Sequence, residues 1–407
     1  MKRAIVLSGG GGKGAYQIGF WKAIRELKID FDIVTGTSIG ALNGVFLVQG
    51  NYKEAFKIWH NMDYETAFEG GMDNYTFDSF EGKKKIISKY AKGALSGGLT
   101  VENLYNLIKK HYYPDKFYSS NIDYGLVTVK FPSMKPVMLT KKNINQELMP
   151  DYLLASASCF PAFKIKEIDG EKYIDGGYYD NMPINLAIDM GATEVIAVNL
   201  KSIGIIKKKY KKDINIKMIT PKKRIGNFLV LEKEQSRRAI KYGYNDTMKA
   251  FNELDGNYYT FKKDTLKRNY NRIIDRFNNN LNKYTIIDNK DTKTKKILKS
   301  NSNNDINKIL ENTMKAFSID DINIYRASVA NQMLKRIAKV EKDLSLNKIK
   351  MLIKKNKFTK NTINKEIILY IYKILNDYEK NKKILKQIID FLPNSYLCAI
   401  YLKTIIK

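Results

Sequence analysis

Phe31-Asp32-Ile33-Val34-Thr35-Gly36-Thr37-Ser38-Ile39-Gly40 is the stretch whose reading decides the fold. The mostly apolar run Phe31–Thr35 reads as a strand, and Ala41–Gln49 beyond it as an apolar helix. Gly36-Thr37-Ser38-Ile39-Gly40 therefore sets a serine on a sharp strand-to-helix turn, where its hydroxyl stands clear as a nucleophile. Such an elbow calls for glycine on both sides. The backbone there is strained, and a side chain at either position would obstruct a substrate. At a glycine usage of about 7% the pentad arises by chance in roughly one in ten chains of this size. The flanking strand and helix carry the reading, and the plain alternative is an ordinary tight turn.

Working outward, Ala4–Ser8 is a short strand, Gly9–Gly14 a glycine loop, and Ala15–Leu27 a helix with Ile18, Trp21, Ala23, Ile24 and Leu27 near helical spacing. Residues without side chains let several backbone N–H groups converge, and the following helix adds its positive end. Such a loop holds a phosphate or an oxyanion. It lacks the Gly-Lys-Ser/Thr interval of a phosphate-cradling loop. Gly9-x-Gly11-x-x-Gly14 fits a dinucleotide fingerprint, but that site wants an acidic residue about 20 positions on, ending a second strand. Asp30 and Asp32 only precede or begin that strand.

Farther on, residues 52–120 read as mainly helical with a glycine-rich break at Gly93–Gly98. Tyr124–Phe131 is a strand, Asp151–Ala157 a short helix stopped by Pro161, Lys172–Ile174 a strand edge, and Val195–Leu200 a buried strand. Strands separated by helices predict an α/β layer architecture with a mixed or parallel sheet. Composition shifts near residue 255, which divides the chain into 1–255 and a basic, mainly helical region over 256–407. Leu281–Asn304 is polar and of low complexity, the best candidate for a mobile linker. Thr362–Leu392 carries Ile367, Ile368, Ile371, Ile374, Leu375, Ile384, Leu385, Ile388 and Ile389 at helical spacing. Its apolar face either packs inside the protein or docks on a membrane.

The 407 residues are 44% hydrophobic and 28% charged, a globular balance. No run of about 18 uncharged apolar residues predicts a membrane span. Ala4–Leu7 is too short for a signal-peptide core, and Cys159 and Cys398 lie too far apart to suggest a disulfide framework. The default location is cytoplasmic. Net charge is +29, of which residues 251–407 carry +17. That excess favours anionic partners, either nucleic acid or an acidic lipid surface. Solvated lysine-rich faces are the plain alternative. No aromatic-interleaved or zinc-spaced motif accompanies the basic region, so nucleic acid is not expected.

A serine nucleophile needs a base. The chain has two histidines, His60 and His111, both in polar, helix-like or turn-like surroundings without an accompanying motif. Asp175, in Tyr173-Ile174-Asp175-Gly176-Gly177, is a carboxylate on a tight loop after a short apolar strand. It can serve as a general base if the two side chains lie within hydrogen-bond reach; otherwise the loop is a plain hairpin turn.

Taken together, Gly9–Gly19, Gly36–Asn43, Ala155–Phe163, and Asp175-Gly176-Gly177 with Asn181-Met182-Pro183 resemble the patatin-like phospholipase family over residues 1–250. The resemblance implies a three-layer sheet flanked by helices, with a mainly helical C-terminal extension. It implies Ser38 as nucleophile, Asp175 as its partner in a Ser-Asp dyad, and the N–H groups of Gly10, Gly11 and Gly12 as an oxyanion hole. The activity implied is hydrolysis of phospholipid or other lipid esters in lipid catabolism, without metal or cofactor. The protein would act on lipid as a soluble or peripheral-membrane enzyme. An acyltransferase with the same site, or a lipid-surface binding protein, are the alternatives. Ser8 stands where many relatives carry an acidic residue, and residues 255–407 match nothing in the family's core pattern.

Overall fold

The computed structural model describes residues 2–63, 88, 98–208, 210, 214–285, 306–340 and 362–406. Two compact units emerge, Met1–Ala250 and Phe251–Lys407.

The first unit is built on an eight-stranded mixed sheet. Its strands are β1 (Arg3–Leu7), β2 (Ile33–Thr37), β3 (Asp123–Phe131), β4 (Pro136–Thr140), β5 (Lys166–Ile168), β6 (Glu171–Asp175), β7 (Glu194–Val198) and β8 (Asn215–Ile219). They run in the order β5-β6-β3-β2-β1-β7-β8, with β4 paired to β3 off that path. Strands β3, β2, β1, β7 and β8 are parallel, whereas β4, β5 and β6 pair antiparallel. Burial on both faces explains why β1 and β2 read as continuous rather than alternating apolar runs.

Helices cover both faces. Ala4, Val6, Ile33, Val195 and Ala197 form one cluster with Ile184, Ala187 and Ile188 of the short helix Ile184–Asp189. Against the other face lies α2 (Ile39–Gln49), close enough that a Cβ on Gly44 would sit 3.1 Å from Val34. Helix α1 (Ala15–Glu26) and the helix Lys233–Ala250 pack backbone to backbone. A Cβ on Gly19 would fall 1.9 Å from the Ile240 carbonyl oxygen, and one on Gly243 2.0 Å from that of Tyr16. The expected sheet flanked by helices is thus present. Strands β4, β5 and β8 and the helix Lys233–Ala250 are additions to the sequence reading. Of the region read as helical over 52–120, α3 (Tyr52–Asn61), Glu102–His111 and Pro114–Ser119 are helices. Residues 64–87 and 89–97, with most of the Gly93–Gly98 break, lie outside the described residues.

The second unit has its own core. A three-stranded sheet (Leu254–Asp255, Thr260–Lys262, Ile324–Tyr325) accompanies six described helices. The stripe on Thr362–Leu392 goes inward: Ile367, Ile368, Ile371, Leu375, Leu385 and Ile389 are buried in this core. That face packs rather than docking on a membrane. The last helix, Pro393–Ile405, is buried on nearly every side, with Tyr396, Ile400, Tyr401 and Leu402 fully enclosed. The segment read as a linker begins inside a helix, since Thr265–Tyr284 includes Leu281 to Tyr284. Residues 286–304, the remainder of that segment, lie outside the described residues. Among the described residues no helix is long and apolar enough to cross a membrane.

Candidate active site

Strand β3 brings the site together. On one edge it pairs with β4, with Val127 opposite Met138 and Thr128 opposite Val137. On the other edge β2 pairs as far as Thr37 with Val127, and β6 takes over at the next position, Asp175 with Thr128. Parallel β2 and antiparallel β6 therefore meet end to end on adjacent residues of β3. The residue after β2 is Ser38 and the last residue of β6 is Asp175, so register alone sets them side by side. The Ser38 hydroxyl stands near enough to the Asp175 carboxylate to favour its charged form.

Ser38 has φ 56° and ψ −129°, a left-handed conformation a non-glycine residue rarely adopts. It costs on the order of 1–3 kcal/mol and persists because the surroundings fix it. The flanking glycines serve packing rather than substrate access. A Cβ on Gly36 would lie 2.4 Å from the Gly40 backbone, and one on Gly40 2.2 Å from the Leu7 carbonyl oxygen. The elbow thus folds α2 directly onto the ends of β1 and β2. The Ser38 N–H donates to Ser156 Oγ at 2.9 Å, and the buried Ser156 hydroxyl donates to the Val127 carbonyl at 2.7 Å. Ser156 thereby clamps the elbow to β3. Removing its hydroxyl takes the partner from a partly buried N–H, which costs up to about 1–3 kcal/mol. Ser156→Ala is expected to keep the fold and lower kcat about tenfold with little change in KM, measured on a short-chain ester. A larger change in KM than in kcat would count against this role.

Asp175 is buried at 6% exposure. Burial pushes its carboxyl up to about 6. The Gly177 N–H, which donates to Oδ1 at 2.7 Å, and the Ser38 hydroxyl both act in the opposite direction. A carboxylate with its affinity for protons raised toward neutrality is a better base than an exposed one. The two histidines stand elsewhere. His60 stacks on Phe56 with ring centroids 5.4 Å apart. His111 Nδ1 lies 2.6 Å from Glu54 Oε1.

The glycine loop closes the other side. Ser8 Oγ accepts from the Leu200 N–H at 2.9 Å, which ties the loop to the segment just after β7. Below it a buried polar chain runs from Trp59 Nε1 to Asn43 Oδ1 at 2.8 Å, from Asn43 Nδ2 to Gln17 Oε1 at 2.8 Å, and from Gln17 Nε2 to the Ser8 carbonyl at 2.8 Å. Every member is satisfied, so the chain fixes α1, α2 and the loop as one body. Of the three glycines read as oxyanion donors, Gly12 gives its N–H to the Phe228 carbonyl at 2.8 Å. Among the described residues no protein acceptor takes the N–H groups of Gly10 and Gly11. Both line, with Ser38 and Asp175, a cavity of about 370 Å³. Leu42, Trp59, Met62, Leu104, Phe163 and Leu231 give it apolar walls. Sequence reasoning missed the Phe228 segment and Ser202–Ile205, which also border the cavity. Neither carries a motif, and only tertiary packing brings them in.

The elbow serine, the buried carboxylate and the glycine loop thus meet around one cavity of the α/β unit. Residues 5–188 match the family model for patatin-like phospholipases. Over 202 residues the chain is 25% identical to patatin-like phospholipase domain-containing protein 7 of Mus musculus, covering 49% of this chain and 14% of that protein. Over 227 residues it is 27% identical to the cUMP-AMP-activated phospholipase of Escherichia coli, covering 50% of this chain and 63% of that protein. The match thus spans less than two thirds of either relative. The solved structure of VipD from Legionella pneumophila aligns over 100% of this chain and 91% of its own at 15% identity, with a TM-score of 0.38.

Proposed function

We propose that the protein is a lipid acyl hydrolase of the phospholipase or lipase type, working through a Ser38–Asp175 dyad and an acyl-enzyme. The observation that carries this reading is the strand register that sets Ser38 beside the buried Asp175 on the wall of one cavity. In the first step Ser38 Oγ attacks the ester carbonyl carbon while Asp175 takes its proton. The carbonyl oxygen becomes an oxyanion that the N–H groups of Gly10 and Gly11 receive. Gly12 joins them only if the Phe228 carbonyl moves aside. Collapse breaks the ester bond, and the departing alcohol takes the proton from Asp175. Water then attacks the acyl carbon with Asp175 as base, and the fatty acid leaves as Ser38 recovers its proton.

A lipid substrate is supported by the cavity's apolar walls and its mouth. Ile203 and Ile205 border it and are 78% and 56% exposed, an apolar pair placed to meet a lipid surface. Ile203→Asp with Ile205→Asp is expected to cut hydrolysis of vesicle phospholipid at least about tenfold. Turnover of a soluble short-chain ester should stay within about twofold. Equal loss on both substrates would show that the two residues do not serve interfacial contact. The function itself is tested by incubating the full chain with a panel of phospholipids and neutral glycerides and measuring released fatty acid. The account expects release that Ser38→Ala abolishes; no release from any lipid would overturn it.

A further inference from the structure

The second unit gathers cations around a cleft that, among the described residues, no carboxylate lines. Two adjoining hollows of about 240 and 690 Å³ share Arg272 and Ser328. Their walls carry Lys262, Arg268, Arg272, Arg276, Arg326 and Lys335. Lys263 also borders the cleft but has a carboxylate of its own, Glu253, at 3.8 Å. Arg268, Arg272 and Arg276 succeed one another every four residues along the helix Thr265–Tyr284. They rise from one face and span about 12 Å at 1.5 Å per residue. Arg326 immediately precedes the helix Ala327–Val340, and Lys335 lies in the middle of it.

Three further features set this cleft apart from a general excess of lysine. Thr265 and Ser328 border the larger hollow, so two helices begin at it with their positive ends. Its floor is a buried polar network. Asn331 Nδ2 donates to Asn269 Oδ1 at 2.8 Å, and the Tyr401 hydroxyl donates to Asn331 Oδ1 at 2.8 Å. Arg272 Nη2 reaches the same Asn269 Oδ1 at 3.4 Å, which restrains its guanidinium. Like charges at four-residue spacing cost about 0.2–0.5 kcal/mol per pair. That repulsion turns to advantage only when an anion lies among the arginines.

We propose that this cleft binds a compact polyphosphate anion, several phosphates on a small scaffold such as a phosphorylated inositol, either free or as a lipid headgroup. Planar guanidinium forks engage phosphate oxygens two at a time, and the larger hollow has the volume of an ordinary small-molecule site. The proposal is independent of the hydrolase reading, because it concerns the other unit and is read by binding.

Calorimetry of the full chain with inositol hexakisphosphate, against inorganic sulfate, tests it at near-physiological salt. Saturable one-to-one binding to the inositol phosphate is expected. Arg268→Gln/Arg272→Gln/Arg326→Gln should weaken it at least about tenfold. Lys380→Gln/Lys383→Gln/Lys386→Gln, an equal change in charge on the helix Tyr378–Phe391, should alter it by less than about twofold. Should the arginine triple fail to fold, Arg272→Lys keeps the charge but not the fork and should weaken binding about threefold or more. No saturable binding, or equal weakening by the two triples, overturns the proposal. Sedimentation with phosphoinositide vesicles, against phosphatidylserine vesicles of matched charge, separates the two sources. Preference for the phosphoinositide supports a lipid headgroup, and binding of the soluble anion alone supports a free ligand.

Discussion

Ser38→Ala is expected to lower ester hydrolysis by at least about a thousandfold while the protein stays folded. The hydroxyl is the only part of the side chain this change removes, and it is the group that faces Asp175. KM should move little, because the apolar walls of the cavity are untouched. Ser38→Gly should be equally inactive yet more stable, by about 1 kcal/mol or more. Glycine enters the φ 56° conformation without the steric cost serine bears. An inactive variant that melts higher than wild type separates loss of chemistry from loss of structure. If Ser38→Gly instead melts lower, the elbow is not the strained element described.

Asp175→Asn is expected to cripple turnover to a comparable degree and, at the same time, to stabilise the protein at neutral and alkaline pH. Burial raises this carboxyl from 3.8 to about 6. The folded value lies above the unfolded one, so the folded state holds the proton more tightly. The resulting stability is fully present below about pH 4 and is lost as pH rises through 6. Above pH 7 the buried charge therefore costs roughly 3 kcal/mol relative to the protonated form. Asparagine carries no charge. Thermal melts should show Asp175→Asn several degrees above wild type at pH 8 and nearly level with it at pH 4. Wild-type kcat/KM should rise with pH through a midpoint near 6, as the base ionises. A midpoint near 4, or a variant no more stable at pH 8, would contradict the burial argument.

The elbow and Asp175 were legible in the sequence because their signals are local. A glycine-flanked serine needs only the strand before it and the helix after it, and an acid before two glycines marks a tight turn. The reason for Gly36 and Gly40 was not legible. It is the approach of α2 to β1 and β2, visible only once Leu7 lies against Gly40. Ser156 sits in an unremarkable alanine- and serine-rich segment, and its link to Ser38 spans 118 positions. The Phe228 carbonyl that takes the Gly12 N–H comes from a stretch without any motif. In the second unit the isoleucine periodicity was readable, but whether it met protein or membrane was not, because periodicity does not name the partner. Arg268, Arg272 and Arg276 repeat every four residues in plain view. Arg326 and Lys335 join them only through folding.

The claim that the chemistry rests on Ser38 is tested most directly by covalent labelling. A fluorophosphonate probe reacts with an activated serine, and peptide mass mapping places the adduct. The account predicts one adduct on Ser38, absent from Ser38→Ala and strongly slowed in Asp175→Asn. An adduct on another residue, or lipid hydrolysis that continues with Ser38 unmodified at full probe occupancy, would contradict it.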